Sequence, residues 1–229
     1  MILDLDGPSA VGKTTLARRL FAALPGAVCV PELLATIPNP YLHWHTPEDF
    51  LEKQLWFFRN TLRRYQTAEP ASGSIRLNDM GVLDVIAHTA VYPRAHGLEW
   101  EVLPRFCARV LAESGDAPLA NGVVYLYAEE PVLRRRRDGD TARVRGAFDS
   151  NLLLVPRQRA FYRQLARAFP RQVLCLQAEA NPDALARTVA DFIPAAAGAP
   201  PLSLRALLDQ AQVHFAGPDA GARAQNVIQ

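Results

Sequence analysis

A short glycine-bearing segment near the start of the chain has the residue types and spacing of a phosphate-binding loop. Its residues are Gly7, Pro8, Ser9, Ala10, Val11, Gly12, Lys13, Thr14 and Thr15, and the first eight match the pattern G-x-x-x-x-G-K-[ST]. Glycines let successive backbone N–H groups wrap a phosphate, and the N-terminus of a following helix adds partial positive charge. The pattern predicts that this segment binds ATP, that Lys13 reaches its β- and γ-phosphates and that Thr14 gives its hydroxyl to Mg²⁺.

The segments around this loop predict the elements that would position it. Residues 2–6, Ile-Leu-Asp-Leu-Asp, form a short segment that predicts a first strand, and Leu16, Leu20 and Leu24 recur every four residues, which predicts a helix over about 13–24. Further along, short apolar runs alternate with longer helical patterns, as in a parallel sheet covered by helices. We therefore predict an α/β fold, a three-layer sandwich in which a five-stranded parallel sheet has helices on both faces. The five strands are expected at about 2–6, 27–30, 74–78, 122–127 and 172–176.

Capping and proline signals predict the helix limits. Thr46 is expected to cap a helix that runs to about Tyr65, with Pro47 at its first position. A later helix is expected to end near Ala90, before Pro93, and the last one at Pro194. Beyond Ala195 the composition shifts to Ala, Gly and Pro, followed by a short amphipathic piece. We therefore assign residues 1–194 to one domain and residues 195–229 to a C-terminal extension, flexible or appended.

Composition narrows the protein class. The 229 residues carry a net charge of +2, which is too mild to demand a nucleic-acid partner. No apolar run approaches the roughly 20 residues that a bilayer-spanning helix needs, and Met1 is not followed by an export signal. The three cysteines are far apart, as expected for free thiols. We predict a cytoplasmic protein that acts on a small molecule, without a nucleic-acid or membrane partner, and leave a homodimer open.

Phosphate-binding loops of this pattern serve GTPases, motor ATPases and small-molecule kinases alike. The Asn-Lys-x-Asp guanine signature is absent, because the second of the two lysines, Lys53, follows Glu52. The chain also lacks the length for a motor's further domain. A small-molecule kinase with a core, a substrate cleft and a lid is the class that remains.

From about Ile2 to Phe192 the chain resembles the deoxynucleoside kinase and thymidylate kinase group of the P-loop nucleoside and nucleotide kinases. In the deoxynucleoside kinases a Pro-Glu pair ends the second strand, and Pro31-Glu32 stands in that place here. The resemblance implies that Glu32 is the base that takes the proton of the acceptor hydroxyl. Strand ends of such sheets open onto the ligand crevice, where a carboxylate can do this work. The alternative is that Glu32 is a solvated loop residue without a catalytic role.

Gln54 is a polar amide in an otherwise apolar helical stripe. It falls between Phe50 and Phe58 at spacings of four, so it should face the interior, where an amide needs hydrogen-bond partners. The similar kinases use a glutamine on this helix to bind the nucleoside base beside aromatic rings. The resemblance implies that Gln54 and Phe58 bind the substrate, with Trp56 and Phe57 as further stacking candidates. The alternative is that the Gln54 amide forms hydrogen bonds with neighbouring backbone groups and does not bind the substrate.

The third predicted strand leads into Asp79 and Met80. The related kinases place an acidic residue followed by arginine here, so Asp79 fits the acidic position and is expected to hold Mg²⁺ through water or to serve as an alternative base. Met80 replaces the family's arginine. This departure leaves open how the acceptor is held and favours an unusual substrate or weakened catalysis.

Basic residues are concentrated at Arg134 to Arg137, with Arg143 and Arg145 close behind. They resemble the family's lid, which we place at residues 134–149. Arginines there would neutralise charge on the transferred phosphoryl group, and Arg135 and Arg137 are chosen as the catalytic pair. A nucleic-acid patch is the competing interpretation, but no aromatic interleaving accompanies the run.

These expectations combine into one reaction. Lys13, Glu32, Asp79, Arg135 and Arg137 are the predicted catalytic residues of an ATP- and Mg²⁺-dependent kinase, with Thr14 and Asp79 at the metal. The acceptor is expected to be a nucleoside or nucleotide. A non-nucleoside small molecule, such as an antibiotic or a sugar hydroxyl, remains an alternative acceptor, and a non-catalytic ATP-binding switch is an alternative function.

Overall fold

The computed structural model describes residues 1–31, 44–66, 74–140, 147–179 and 181–216. Its strands are β1 Ile2–Asp6, β2 Val28–Val30, β3 Arg76–Asp79, β4 Gly122–Tyr127 and β5 Val173–Gln177. Its helices are α1 Lys13–Ala23, α2 Pro47–Gln66, α3 Val82–Ala95, α4 Val102–Ser114, α5 Glu130–Asp138, α6 Phe148–Leu152, α7 Val155–Ala168, α8 Pro182–Ala197 and α9 Leu204–Phe215. The predicted α/β class is confirmed.

The five strands form one sheet in the order β2-β3-β1-β4-β5, and every neighbouring pair is parallel. In the register of β1 with its neighbours, Leu5 is opposite both Asp79 of β3 and Val124 of β4. The carboxyl ends of the three central strands therefore meet at one edge. The loop that follows β1 opens at this edge, beside Asp79.

Two apolar clusters cover the two faces of the sheet. Leu3 and Leu5 point to one face and pack in a cluster that includes Leu16 of α1 and Val189 of α8. The cluster on the other face is built from α2, α3, α4, α7 and α9. Side chains alternate along a strand, so one strand can supply both faces of a buried sheet. The predicted three-layer arrangement is confirmed.

The N-terminus of α2 is fixed by a reciprocal cap. The Asp49 amide donates to Thr46 Oγ1 at 3.1 Å, and the Thr46 amide donates to Asp49 Oδ2 at 3.1 Å. This pairing satisfies two amide donors at the helix start, as expected for the predicted cap, and a cap of this kind contributes about 1 kcal/mol.

Two helices continue past prolines that were expected to end them. α3 passes Pro93 and ends at Ala95, and α8 passes Pro194 and ends at Ala197. In both cases the proline lies in the last turn, where a missing amide donor disturbs little of the helix. The buried side chains of Val91 and Ala196 favour the continued helical packing over an earlier stop.

The segment after Ala195 differs from the predicted extension. Its first residues complete α8, and residues 204–215 form α9, which packs on α3, α4 and α7. The side chains of Leu204, Leu207 and Phe215 are buried. The amphipathic piece is therefore part of the folded unit. Among the described residues, no helix combines the length and apolarity that crossing a membrane requires.

Candidate active site

The loop between β1 and α1 has the backbone geometry that its glycines allow. Gly7 has a φ of 137°, and a Cβ atom there would lie 2.3 Å from the carbonyl oxygen of Leu126. Gly12 has a φ of 111° and directly precedes α1. Because L side chains rarely adopt such φ values, glycine is required at both positions for the loop to fold back against β4.

Lys13 lies across this loop. Its Nζ donates to the carbonyl oxygen of Gly7 at 2.8 Å and approaches that of Pro8 at 3.4 Å. The ammonium group is therefore held over the loop at the helix N-terminus, where the amide dipoles also favour an anion. This arrangement can bind a phosphate between the loop amides and the lysine.

Thr14 and Asp79, the two residues predicted to hold Mg²⁺, are in direct contact. Thr14 Oγ1 donates to Asp79 Oδ2 at 3.0 Å. The other carboxylate oxygen, Asp79 Oδ1, is buried and has no hydrogen-bond partner among the described residues. A hydroxyl beside an unpartnered carboxylate oxygen is a fitting donor set for a hard cation.

The rest of a metal's coordination would have to come from elsewhere. The described parts of the chain contain no group of three or more His, Cys, Asp or Glu side chains placed to hold a metal ion. Magnesium is usually held by one or two protein groups together with substrate phosphates and water. Thr14 and Asp79 fit that role beside a phosphate-binding loop.

Two buried carboxylates on β1 organise the turn after β3. Asp6 accepts from the Gly81 amide at 2.8 Å and from the Tyr162 hydroxyl at 2.7 Å, and Asp4 accepts from the Tyr65 hydroxyl. Burial raises the pKa of Asp6 to about 6. Burial and the neighbouring Asp6 charge raise the pKa of Asp4 to about 7. The pair therefore fixes the Gly81 turn, and with it the end of β3, at the cost of burying charge.

Arg64 of α2 reaches the same turn from the other side. Its guanidinium donates to the carbonyl oxygens of Met80 at 3.3 Å and Val30 at 3.2 Å, and it lies 3.4 Å from that of Asp79. Met80 has a φ of 70°, which is unusual for a residue with a side chain. A buried cation therefore joins the ends of β2 and β3 beside Met80.

A cavity of about 810 Å³ begins at the phosphate loop and continues past Asp79 and Met80 between α2 and α3. Gln54 lines it, as predicted, and its Oε1 lies 3.4 Å from Thr89 Oγ1, which donates more closely to Val85 at 2.7 Å. ATP-binding and acceptor-binding surfaces can thus share one continuous space.

Phe58 does not take the place that was predicted for it. It is fully buried in the core, where its ring meets Phe106 of α4 edge-on with centroids 5.8 Å apart, and it is not among the cavity-lining residues. Phe57 lines the cavity instead. Each helical residue turns about 100°, so positions four apart drift by about 40°, which carries Phe58 from the cavity side toward α4.

In the run of arginines on α5, it is Arg136 that contacts the phosphate loop. Its Nη1 donates to the Val11 carbonyl oxygen at 2.6 Å, and its Nη2 donates to the carbonyl oxygen of Ala178. Arg135 is exposed, and Arg137 donates to Asp149 at 3.2 Å. Neither Arg135 nor Arg137 lines the cavity, so their predicted catalytic roles stay predictions.

Three predicted residues lie outside the described residues: Glu32, Arg143 and Arg145. Other residues that shape the site were not singled out from the sequence, namely Asp4, Asp6, Arg64 and Arg136. A signal for the two aspartates existed, because carboxylates at alternate positions of a strand buried on both faces need special partners. A similar signal existed for Arg64, because it lies on the apolar side of α2, where a charged group also needs partners.

Comparisons with known proteins bear on the fold alone. No protein-family model and no curated protein sequence matches the chain. Among solved structures, a deoxyadenosine kinase from M. mycoides with bound dATP matches with a TM-score of 0.65 and 15% identity, over 85% of this chain and 100% of that one. The thymidylate kinase from Candida albicans matches with a TM-score of 0.65 and 14% identity, over 84% and 90% of the two chains. The chain therefore has the fold of the P-loop nucleoside and nucleotide kinases, which confirms the resemblance at the level of fold.

Proposed function

We propose that this protein is an ATP-dependent kinase that transfers the γ-phosphoryl group to a nucleoside or nucleotide. The observation that carries the proposal is the contact of Thr14 Oγ1 with Asp79 Oδ2 at 3.0 Å, in a cavity that extends from the phosphate loop to Gln54. A phosphate-binding site, a fitting cation site and an acceptor pocket in one space are the parts that phosphoryl transfer requires.

Each residue has a defined task in this proposal. The loop amides and Lys13 bind the β- and γ-phosphates of ATP, while Arg136 joins the loop at Val11 to Ala178 after β5. Thr14 and Asp79 would hold Mg²⁺, which supplies charge neutralisation on the phosphates when bound. Glu32 is the proposed base toward the acceptor hydroxyl, on the strength of its place after β2. Catalysis then comes mainly from the positioning of the two substrates and from the neutralisation of the phosphate charge.

The acceptor class is supported by Gln54 at the far side of Asp79 and by the deoxyadenosine and thymidylate kinases that share the fold. Met80, with its φ of 70°, supports a second candidate, a non-nucleoside small molecule. Because Met80 replaces the arginine of the resembling kinases, an acceptor would have to be held by other contacts at this position. A homodimer, a cytoplasmic location and a lid over residues 134–149 stay predictions.

The test is ADP production from Mg·ATP against a panel of nucleosides, deoxynucleosides, nucleoside monophosphates and unrelated hydroxyl compounds. Acceptor-dependent ADP release that is lost in Lys13→Ala and reduced in Glu32→Gln is the expected result. Turnover only with non-nucleosides would favour the second candidate. ATP binding without turnover on any acceptor would contradict a kinase and favour a non-catalytic ATP-binding switch.

A further inference from the structure

The end of the cavity that lies away from the phosphate loop carries a lysine that forms no ion pair with a carboxylate of the described residues. Lys53 of α2 lines it, half-buried, with its Nζ 3.3 Å from the centre of the Trp44 ring. Across from it, on α3, are His88 and Tyr92. Val82, at the start of α3, lies next to the transfer centre. At 1.5 Å per helical residue, His88 and Tyr92 lie about 9 and 15 Å further along this helix.

Nearby acids on α2 do not neutralise this lysine. Glu48 pairs with Arg105 at 2.8 Å, Glu52 pairs with Arg109 at 3.5 Å, and Asp49 caps the helix. No carboxylate lies within 4 Å of the Lys53 ammonium in the described part of the chain. Burial lowers the pKa of Lys53 to about 8, and no acidic partner counteracts that fall. A partly desolvated cation without an anion is costly, and a ligand atom can relieve it.

Asp84 is the other charged side chain of this half of the cavity, apart from Asp79 at the transfer centre. It has interactions of its own, and among the described residues it forms no ion pair with Lys53. The acceptor end therefore presents Lys53 as a cation without an ion-pair partner among the described residues.

Aromatic and neutral groups complete the surroundings. The rings of His88, Phe50 and Tyr92 form a cluster in which the His88 centroid is 6.0 Å from that of Phe50 and 5.3 Å from that of Tyr92. Burial, and then the charge of Lys53, lowers the pKa of His88 to about 3, so this imidazole is neutral near pH 7. Its buried Nδ1 has no hydrogen-bond partner among the described residues. The lysine is thus surrounded by rings and by an uncharged polar group.

We propose that this end of the cavity binds a planar ring that presents a hydrogen-bond-accepting oxygen, a carbonyl or an oxyanion, to Lys53. The inference rests on the kinase function proposed above and adds a substrate class to it. An ammonium group only donates hydrogen bonds, so an amino group in the same place would leave donors facing one another. Lys53 is accordingly a specificity-determining residue that selects oxo rings over amino rings.

Matched acceptor pairs that differ at one exocyclic group and at the ring nitrogen beside it test this. Deoxyinosine with deoxyadenosine, and deoxyuridine with deoxycytidine, exchange a carbonyl oxygen beside a ring N–H for an amino group beside an unprotonated ring nitrogen. We expect kcat/KM to favour the oxo member by about 10- to 100-fold, the range for a hydrogen bond to a charged group. Lys53→Met should reduce kcat/KM for the oxo member by a similar factor and leave kcat/KM for the amino member within about 3-fold of wild type. Arg63→Met, on the exposed side of the same helix, is the matched control and should keep the preference.

A wild-type protein that treats both members equally, or a preference that persists in Lys53→Met, would overturn the inference. If no nucleoside is phosphorylated, the nucleoside acceptor fails on its own, and binding becomes the readout. Thermal shifts with hypoxanthine against adenine, and with benzoate against benzamide, then separate a carbonyl from an oxyanion. A shift that depends on the oxygen and disappears in Lys53→Met sustains the inference, and shifts indifferent to Lys53 refute it.

Discussion

Thr14 Oγ1 and Asp79 Oδ2 lie 3.0 Å apart although the residues are 65 positions apart in the chain. The parallel pairing of β1 with β3 produces this contact, because it brings the end of β3 beside the loop that precedes α1. The hydroxyl and the carboxylate predicted for the metal are therefore adjacent in the folded chain.

Asp79→Asn tests this pair, because it keeps the shape of the side chain and removes the charge. We expect kcat to fall by about 100-fold or more, the scale for loss of one charge-stabilising group. The Mg²⁺ concentration needed for half-maximal rate should rise. Thr14→Ser is the matched control, since it keeps the hydroxyl and should stay active. An Asp79→Asn protein with unchanged rate and Mg²⁺ dependence would contradict the assignment.

Arg136→Ala should weaken ATP binding, because it removes the donors that join Val11 to Ala178. Hydrogen bonds from a charged group are worth about 1.5–3 kcal/mol, so the KM for ATP should rise by about 10-fold or more. Arg135→Ala on the same helix is the control, since that side chain is exposed, and should change the KM less than 2-fold. Equal effects of the two substitutions would show that α5 acts through its total charge.

Asp4→Asn should flatten the pH dependence of stability. The native state holds the Asp4 proton up to a pKa of about 7, whereas the unfolded chain releases it near 3.8. The native state therefore binds more protons between these values, and its free energy of unfolding falls as pH rises through that window. Urea unfolding of wild type and variant from pH 4.5 to 8 measures the difference. Asp191→Asn, on the exposed side of α8, should not alter the slope, and an unaltered slope in Asp4→Asn would be the contrary result.

Gly81→Ala should destabilise the fold. A Cβ atom at Gly81 would lie 2.0 Å from Asp4 Oδ2 and 2.4 Å from its Cγ, and this carboxylate is held in place by Tyr65 and Asn78. We expect a loss of about 2–4 kcal/mol in the free energy of unfolding, typical of overpacking beside a buried polar network. Gly139→Ala meets no atom closer than 3.5 Å and should cost less than about 1 kcal/mol. Similar losses for both would exclude the steric explanation.

Phe215→Ala should cost about 3–5 kcal/mol, because the ring is buried at the end of α9 against Phe161 of α7. Val213 lies on the same helix and is 72% exposed, so Val213→Ala should be nearly neutral. Denaturant unfolding of both variants decides the point. If Phe215→Ala left the free energy of unfolding unchanged, α9 would not be integral to the fold.

The strands and the phosphate loop were accessible from the sequence because their signals are local. β1 and β4 have the predicted bounds, since β1 ends directly before the Gly7 turn and β4 is a short apolar run that follows Asn121. Thr46 has its own capping partner three residues away. In such cases a few neighbouring residues decide the structure, so a window of sequence contains the answer.

The remaining features depend on distant partners. The Tyr162 hydroxyl reaches Asp6 from 156 positions along the chain, and nothing near Asp6 indicates that partner. On α5, successive arginines are turned by about 100° from one another, so the one that meets Val11 depends on how the helix is rotated against the loop. The packing of α9 could not be predicted from nearby residues either, because its apolar face matters only once α3, α4 and α7 are assembled.

The position of α9 also has a consequence for biosynthesis. The helices α3, α4 and α7, which form the apolar surface beneath α9, all precede α9 in the chain, so the ribosome makes this surface before it makes the cover. A nascent chain must therefore carry this uncovered surface until α9 has left the exit tunnel, and chaperones would have their longest opportunity to bind during that interval.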